Sequence, residues 1–276
     1  MTINMKTFAF IVGLVAGLGG LLPATIESLM AQDFADVKMV FKYDGKPPAP
    51  SAVAVTKDQA FCGKKKLVDE SLLVDAKTKG IANVIAYIYV RGAANKPPVH
   101  PSFAKTAKAE VKLANTGCRF EPRMVLLRST QTLLVQNPDA VGHNTKMDPI
   151  DQVKNPGQNF NLPAGSTLKH KFNAAESFPA FPVSCSIHPW MKAWVVLKDS
   201  PYMGVSSQQG EMVIPKVPVG EWSFRLWQEA AGNVRNVPGK LGSKAIKTDR
   251  RGRIKVKVPK KGVTLTFNLP AKLFKR

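Results

Sequence analysis

Acidic residues are scarce in this chain. Its 276 residues include 19 Asp and Glu against 40 Lys and Arg, which gives a formal net charge of +21. Such a field steers anionic partners towards a protein, and salt weakens it. The sequence contains no nucleic-acid-binding motif, so we expect no nucleic acid partner. An acidic protein or an anionic cell-envelope surface fits the charge better, and simple solubility is the alternative explanation.

Long apolar runs are missing after the first 22 residues, so we predict that no later segment spans a bilayer. The early run, 8–22, follows Lys6 and is short and rich in glycine. A basic start before such a run is typical of a signal peptide, and Ala31 is a suitable cleavage site. We predict a signal peptide over 1–31 and a periplasmic or secreted mature protein without a stable membrane span. An uncleaved anchor or a core helix is the alternative.

Cysteine and histidine are also rare, with three Cys and four His in the whole chain. In an exported protein, two of the three cysteines can form a disulfide, and an idle third thiol would be a liability. Cys185 lies beside His188 and Met191, which gives it a role as a metal ligand. That role leaves Cys62 and Cys118 to pair, since the other pairings would consume the only thiol beside His and Met.

No long amphipathic helix is visible, and short strands punctuated by turns predict an all-β protein, a β-sandwich or barrel. In 37–43, for example, Val37, Met39, Phe41 and Tyr43 fall on one face, and Lys38 and Lys42 lie on the other together with Val40, which blurs the pattern. The predicted strands, in chain order, are 37–43, 71–75, 82–90, 132–137, 193–197, 210–215, 220–227, 254–258 and 263–267.

The strand pattern suggests two domains after the signal peptide. We predict a first domain with an N-terminal extension over 32–199 and a smaller β-sandwich over 200–276. Alternatively, the later strands merely extend the first domain. The basic stretch 240–261 is predicted to be a solvated face and loop rather than a binding motif.

The stretch most informative about chemistry runs from Cys185 through His188 to Met191, with two residues between each neighbouring pair. A thiolate, an imidazole and a thioether together are the donors of a type 1 (blue) copper site, which takes a trigonal His₂Cys set and a weak axial Met. The pattern predicts one mononuclear copper ion. It requires a second histidine from elsewhere in the chain.

His143 is the best candidate for that histidine. It follows the predicted strand 132–137 in a loop, and Asn144 beside it could tie the two ligand loops together. His100, next to Pro101, and His170, between two lysines, are expected to be exposed.

Other metal and enzyme chemistry fits the sequence less well. Structural zinc prefers four Cys or His ligands, and Met is a poor substitute. A dinuclear copper site needs a second nearby Cys, and acyl transfer by a Cys–His pair gives Met191 no part. An oxidase or nitrite reductase would need more histidine ligands than the chain offers. We therefore predict that the protein is not an enzyme.

The segment from Cys185 to Met191 resembles the ligand loop of the cupredoxins, most closely the short loop of amicyanin. Residues 137–144, ending in His143, are similar to the segment that carries the upstream histidine in that family. The resemblance covers roughly 132–197. It implies a Greek-key β-sandwich in which His143, Cys185 and His188 are equatorial copper ligands and Met191 is axial.

Residues 210–227 resemble the transthyretin-like regulatory domain of carboxypeptidases, which implies a β-sandwich without catalysis. Taken together, these patterns predict an exported electron carrier whose partner is an acidic redox protein such as a cytochrome. Pro189 and Trp190 could form an apolar docking patch, or Trp190 could simply pack in the loop. The alternative function is a copper carrier or a structural module of an envelope complex.

Overall fold

The computed structural model describes residues 32–92 and 95–274. The predicted signal peptide, 1–31, lies outside the described residues. Within the described ranges, no helix has both the length and the apolar character needed to cross a membrane. Residues from Gln32 onwards cluster into one unit whose regular secondary structure is almost all strand, which confirms the predicted all-β class.

The strands are numbered in chain order. They are β1 (Phe34–Asp44), β2 (Ile85–Ile88), β3 (Glu110–Thr116), β4 (Arg119–Glu121), β5 (Met124–Arg128), β6 (Thr132–Gln136), β7 (His143–Met147), β8 (Gln158–Leu162), β9 (Thr167–His170), β10 (Phe181–Ser184), β11 (Lys192–Lys198), β12 (Met203–Val205), β13 (Glu211–Pro218), β14 (Gly220–Gln228), β15 (Gly232–Asn233), β16 (Pro238–Leu241), β17 (Lys244–Lys247), β18 (Arg253–Val258) and β19 (Val263–Pro270). The short helical segments are α1 (Gln59–Cys62) and the 3₁₀ turns Gly63–Lys65, Pro101–Thr106 and Ala271–Leu273.

Strands β3 to β11 form a two-sheet sandwich, called sandwich I. One sheet has the order β5-β11-β10-β7-β8 and the other has the order β4-β3-β6-β9. The parallel pairs β3–β6 and β5–β11 arise because the chain crosses from one sheet to the other between these strands. Its core includes Leu113, Phe120, Leu133, Phe181 and Val195, all fully buried.

The other strands form sandwich II. One sheet has the order β13-β1-β19-β16-β17, and the second has β12-β2-β14-β15 with β18 paired to β14. The predicted inward face of β1 is confirmed, because Val37, Met39, Phe41 and Tyr43 are buried in this core. Between the sandwiches lies a third apolar cluster, in which the rings of Trp194 and Trp227 meet at 4.8 Å in a T-shaped contact.

The strand pairing differs from the predicted division at residue 200. Strand β1 lies between β13 and β19, and β2 lies between β12 and β14, so both early strands belong to sandwich II. Sandwich II is therefore not the smaller of the two and does not simply follow the first along the chain. The cause is non-local: β1 pairs through its backbone with β13 and β19, two strands that lie much later in the sequence.

Two local features differ from the prediction. Residues 71–75 form no strand, and Val74 makes only an isolated bridge with Ile81. The basic stretch 240–261 contains β18, which matches the predicted strand 254–258, but also most of the hairpin β16–β17, which was not predicted. The hairpin has no fully buried side chain, so its sequence lacks a clear alternation of apolar and polar residues.

Candidate metal centre

The predicted ligand residues meet at one end of sandwich I. His143 begins β7, Cys185 directly follows β10, and Met191 directly precedes β11. Because β10 pairs with both β7 and β11, these positions lie at neighbouring strand ends. Backbone hydrogen bonds close the loop, from Met191 N to His188 O at 2.9 Å and from Cys185 N to Met191 O at 3.3 Å.

Three potential donor atoms converge there. The Nδ1 atoms of His143 and His188 are 2.9 Å apart, and Cys185 Sγ is 3.7 Å from His188 Nδ1. All three donors lie within 4.8 Å of one another. The side chains are buried, with exposures of 1% for His143, 2% for Cys185 and 0% for His188. The structure thus brings His143 together with Cys185 and with His188, which lies 45 residues further along the chain.

Each imidazole is oriented by a carboxylate on its far side. His143 Nε2 lies 3.0 Å from Asp139 Oδ2, and His188 Nε2 lies 2.7 Å from Asp58 Oδ2. A carboxylate only accepts hydrogen bonds, so each Nε2 carries a proton and the Nδ1 of a neutral ring presents a lone pair. Two lone pairs facing each other at 2.9 Å repel unless a shared proton or a metal cation lies between them.

The protonation of His143 favours the metal. Burial lowers the pKa of His143 below its usual range, although the hydrogen bond to Asp139 opposes that shift. A histidine must be neutral at one ring nitrogen to bind a metal. The desolvated environment therefore holds this side chain in its ligand form at neutral pH.

Asn144 connects the two ligand loops, as expected from its position beside His143. Its Oδ1 accepts hydrogen bonds from the backbone N–H groups of Ser186 at 2.7 Å and Ile187 at 3.3 Å. Its own backbone N–H points to Cys185 Sγ at 3.4 Å. Asn144 Nδ2 in turn donates to Asn159 Oδ1 at 2.6 Å, which links the site to β8. These contacts fix the sulfur relative to the upstream histidine.

Met191 is buried beside the same group. Its exposure is 1%, and it belongs to the apolar core of sandwich I together with Cys185. Trp190 is half-buried, its Nε1 donates to Cys118 O at 3.0 Å, and its ring centroid lies 5.1 Å from that of His188. Trp190 therefore packs within the loop, whereas Pro189 and Ile187 are exposed.

The remaining cysteines form a disulfide between Cys62 and Cys118, which confirms the predicted pairing. Cys118 also lies close to Asp139 and His143, in a second group of potential ligands. Because its sulfur is bonded to Cys62, it offers no thiolate to a metal. Cys185 is thus the free cysteine among the described residues.

The other two histidines lie outside this group, but they are half-buried rather than exposed as predicted. His100 Nδ1 accepts a hydrogen bond from the backbone N–H of Ser102 at 3.1 Å. His170 packs edge-on against Phe172, with ring centroids 4.6 Å apart. Both side chains have structural contacts that their polar sequence surroundings did not indicate.

The sequence analysis missed both carboxylates. Asp139 lies four residues before His143, and this spacing in a loop is the signal that could have suggested it. Asp58 lies 130 residues from His188 in the chain, in a segment without any motif. Only the tertiary structure reveals this second contact.

The residues present suit a trigonal copper site. Two imidazole nitrogens and a cysteine sulfur converge at the end of sandwich I, and the buried thioether of Met191 lies in the same loop as the sulfur. The carboxylates behind the imidazoles fix their tautomers, as outer partners of metal-bound histidines usually do. A buried His₂Cys group in an all-β sandwich is the class of centre that the described residues define.

No protein-family model and no curated protein matches the chain. Several solved structures align with part of the chain. A purple cupredoxin from Nitrosopumilus maritimus aligns at 23% identity over 33% of this chain and 100% of its own, with a TM-score of 0.25. A Cu(I) form of an amicyanin mutant aligns at 16% identity over 41% of this chain and 98% of its own, with a TM-score of 0.27.

A copper-containing nitrite reductase (NirK) from Thermus scotoductus aligns at 18% identity and a TM-score of 0.28. The match covers 39% of this chain and 26% of that one. With identities and TM-scores this low, these likenesses do not place the chain in a family. The predicted transthyretin-like character of residues 200–276 stays a prediction.

Proposed function

We propose that the protein is an exported mononuclear type 1 copper protein that carries single electrons to or from a redox partner. His143, Cys185 and His188 are the proposed equatorial ligands, and Met191 is the axial one. The observation that carries the proposal is the buried convergence of two Nδ1 atoms and one Sγ within 4.8 Å. When bound there, copper supplies one-electron chemistry between Cu(I) and Cu(II).

The chain contributes rigidity to this function. Cys185, His188 and Met191 lie on one short loop between paired strands, and the Asn144 hydrogen bonds hold that loop against β7. Ligands held this firmly move little when the charge at the centre changes. A small reorganisation favours rapid electron exchange.

A non-catalytic role fits the number and the positions of the histidines. His100 and His170 belong to neither of the potential ligand groups found among the described residues. A copper oxidase or nitrite reductase would require additional ligands, so we propose electron transfer without catalysis. The burial of all three donor residues also favours metal retention over a role as a copper carrier.

An acidic redox partner, such as a cytochrome, suits the surface beside the centre. A cavity of about 730 Å³ opens next to Pro189 and Trp190. Its lining has five basic residues, including Lys65, Lys66 and Lys192, against the three acidic residues Asp69, Glu70 and Glu229. Together with the net charge of +21, these lysines would favour an acidic docking surface. We propose that the encounter takes place in the periplasm or outside the cell, after removal of the signal peptide.

The test is to load the purified mature protein with Cu(II) and to record its optical and paramagnetic resonance spectra. We expect strong absorption toward the red end of the visible range, from charge transfer between Cys185 and copper. A colourless Cu(II) protein would refute the type 1 assignment. If the band is present, rapid and reversible electron exchange would support a function in electron transfer. Facile release of copper to an acceptor would instead support a function in copper transport.

A matched pair of histidine variants makes the assignment specific. His143→Gln should abolish the absorption band, while His100→Gln should retain it, because His100 lies outside the group of donors. Equal loss in both variants would indicate a general effect on folding. An unchanged band in His143→Gln would remove His143 from the ligand set.

A further inference from the structure

His188 is fully buried although its neighbours in the loop, Ser186, Ile187 and Pro189, are exposed. Trp190 of the same loop and His143 of β7 pack against the ring, with centroids 5.1 and 4.6 Å from that of His188. The Nε2 edge of the ring is covered from outside the loop. The Asp58 carboxylate supplies polar cover at the imidazole edge, with Oδ2 at 2.7 Å from Nε2. The Asp58 side chain is itself 40% exposed, so at this edge it lies between the ring and the solvent.

The position of Asp58 is fixed by its own backbone. Its carbonyl oxygen accepts hydrogen bonds from Phe61 N at 2.9 Å and Cys62 N at 2.8 Å, at the start of α1. Its φ of 47° lies in the left-handed region, where Asp and Asn are tolerated better than most residues. The carboxylate is thus carried by a short, hydrogen-bonded turn rather than by a free loop.

The disulfide ties this turn to the other histidine. Cys62, at the end of α1, is bonded to Cys118, and the Cys118 N–H donates to Asp139 Oδ2 at 2.8 Å. Asp139 is the carboxylate that holds His143. One covalent link therefore joins the segments that carry both carboxylates.

A carboxylate behind a metal-bound imidazole has two chemical effects. It fixes the ring orientation and tautomer, and it increases the electron donation of the other nitrogen. Its negative charge also stabilises the more highly charged state of a metal. We infer that Asp58 is a positioning residue that closes the His188 edge of the centre and favours Cu(II) over Cu(I). This inference extends the proposed function, but the contact itself can be tested without metal.

The first test uses metal-free protein labelled with ¹⁵N. Nuclear magnetic resonance should detect a protected Nε2–H of His188, which His188→Gln assigns by removing the signal. Asp58→Gly deletes the carboxylate, and glycine is chosen because it accepts the φ of 47°. We expect the proton to exchange with water roughly tenfold faster or more in this variant. Equal exchange in the wild type and in Asp58→Gly would overturn the inference.

The second test uses copper-loaded protein. Asp58→Gly should bind copper about 10- to 100-fold more weakly, the usual effect of losing an outer partner of a histidine ligand. Its reduction potential should rise, because Cu(II) loses more stabilisation than Cu(I). Asp58→Asn keeps an acceptor oxygen but not the charge, so its Nε2–H should stay protected while its potential still rises. An unchanged reduction potential in both variants would contradict the inference that the charge of Asp58 favours Cu(II) over Cu(I).

Asp44→Asn is the matched control, since it removes the same charge from an exposed residue at the end of β1. It should alter neither the exchange of the His188 proton nor the potential. A change as large as in Asp58→Asn would mean that net charge, not contact, sets the potential. Failure of the proposed function looks different: wild-type protein would lack the charge-transfer band, and the metal-free exchange result would stand.

Discussion

Sandwich I and sandwich II both have apolar cores, but they differ in the polar side chains that they bury. At the loop end of sandwich I, Asn137, Asp139, His143, Asn144 and His188 are buried and linked by hydrogen bonds. Sandwich II buries aromatic and aliphatic residues at its centre, such as the stacked rings of Phe41 and Phe267.

Buried polar groups stabilise little on balance, because their hydrogen bonds mainly offset the loss of hydration. They do specify positions, since each donor and acceptor has a required partner and direction. Apolar packing is less directional and contributes most of the free energy of folding. The comparison suggests that stability resides mainly in packing and that chemistry resides in the polar end of sandwich I. Four variants test that division.

Cys185→Ser should have the largest effect, which is on the copper centre and not on the stability of the fold. Serine fits the site and can accept the Asn144 N–H, so the metal-free fold should survive. Without a thiolate, the strong visible band of the copper protein should vanish completely. Absorption spectra and thermal unfolding of the two proteins measure both effects. A retained band would contradict the assignment of Cys185.

Phe267→Ala should lower stability and leave the copper centre unchanged. The side chain is fully buried in sandwich II and stacks on Phe41 with centroids 5.6 Å apart. Its loss should lower the free energy of unfolding by about 3–5 kcal/mol. Denaturant unfolding measures this change, and the copper spectrum of the folded fraction should stay as in the wild type. An altered spectrum would show that the two sandwiches are coupled.

Lys198 provides a test at the junction of the sandwiches. Its Nζ lies 4.5 Å from the ring centroid of Tyr87 in β2 and donates to the backbone oxygens of Glu176 and Phe178. Burial lowers the pKa of Lys198 to about 7, Arg225 adds to this shift, and Glu176 and Asp199 oppose it.

The sign of the pH effect follows from that pKa. Between pH 7 and 10.5 the unfolded chain binds a proton at Lys198 that the folded protein has mostly lost, so this residue makes stability rise with pH. In Lys198→Met, the free energy of unfolding should lose this contribution, which in the wild type raises it by up to roughly 1.4 kcal/mol per pH unit. Urea unfolding from about pH 6 to about pH 10 gives the free energy of unfolding against pH for both proteins, and the curves of the wild type and Lys198→Met should not be parallel. Parallel curves would mean that the Lys198 amine titrates as in the unfolded chain.

Met191→Leu should have the smallest effect on stability, less than about 1.5 kcal/mol, because the swap roughly conserves volume. The copper protein should stay coloured, but its reduction potential should rise when the thioether is lost. Voltammetry measures the shift, and Met212→Leu, in the core of sandwich II, is the control. An unchanged potential would argue against Met191 as axial ligand.

Local patterns made much of this structure predictable. The alternation from Val37 to Tyr43 indicated β1 and its buried face, and the spacing of Cys185, His188 and Met191 indicated a soft metal site. His143 could be selected because only four histidines were available. The disulfide followed once Cys185 was given a role.

Features set by distant contacts were not predictable. Nothing near Asp58 indicates His188, and nothing near Val37 indicates Val263, its partner in the parallel pair of β1 and β19. The hairpin β16–β17 was hidden for a related reason. Its residues are mostly lysines and small side chains, and the pairing of β16 with β19 holds it in the sheet.

The place of β1 in sandwich II affects how the chain is made. During synthesis β1 emerges early, while its partners β13 and β19 emerge near the end. Until then β1 lacks both of its neighbours in the sheet, and the core that buries Val37, Met39, Phe41 and Tyr43 is incomplete. Pairings this distant in sequence form slowly and leave apolar surface open to aggregation. Sandwich II can therefore complete its folding only after β19 has been synthesised.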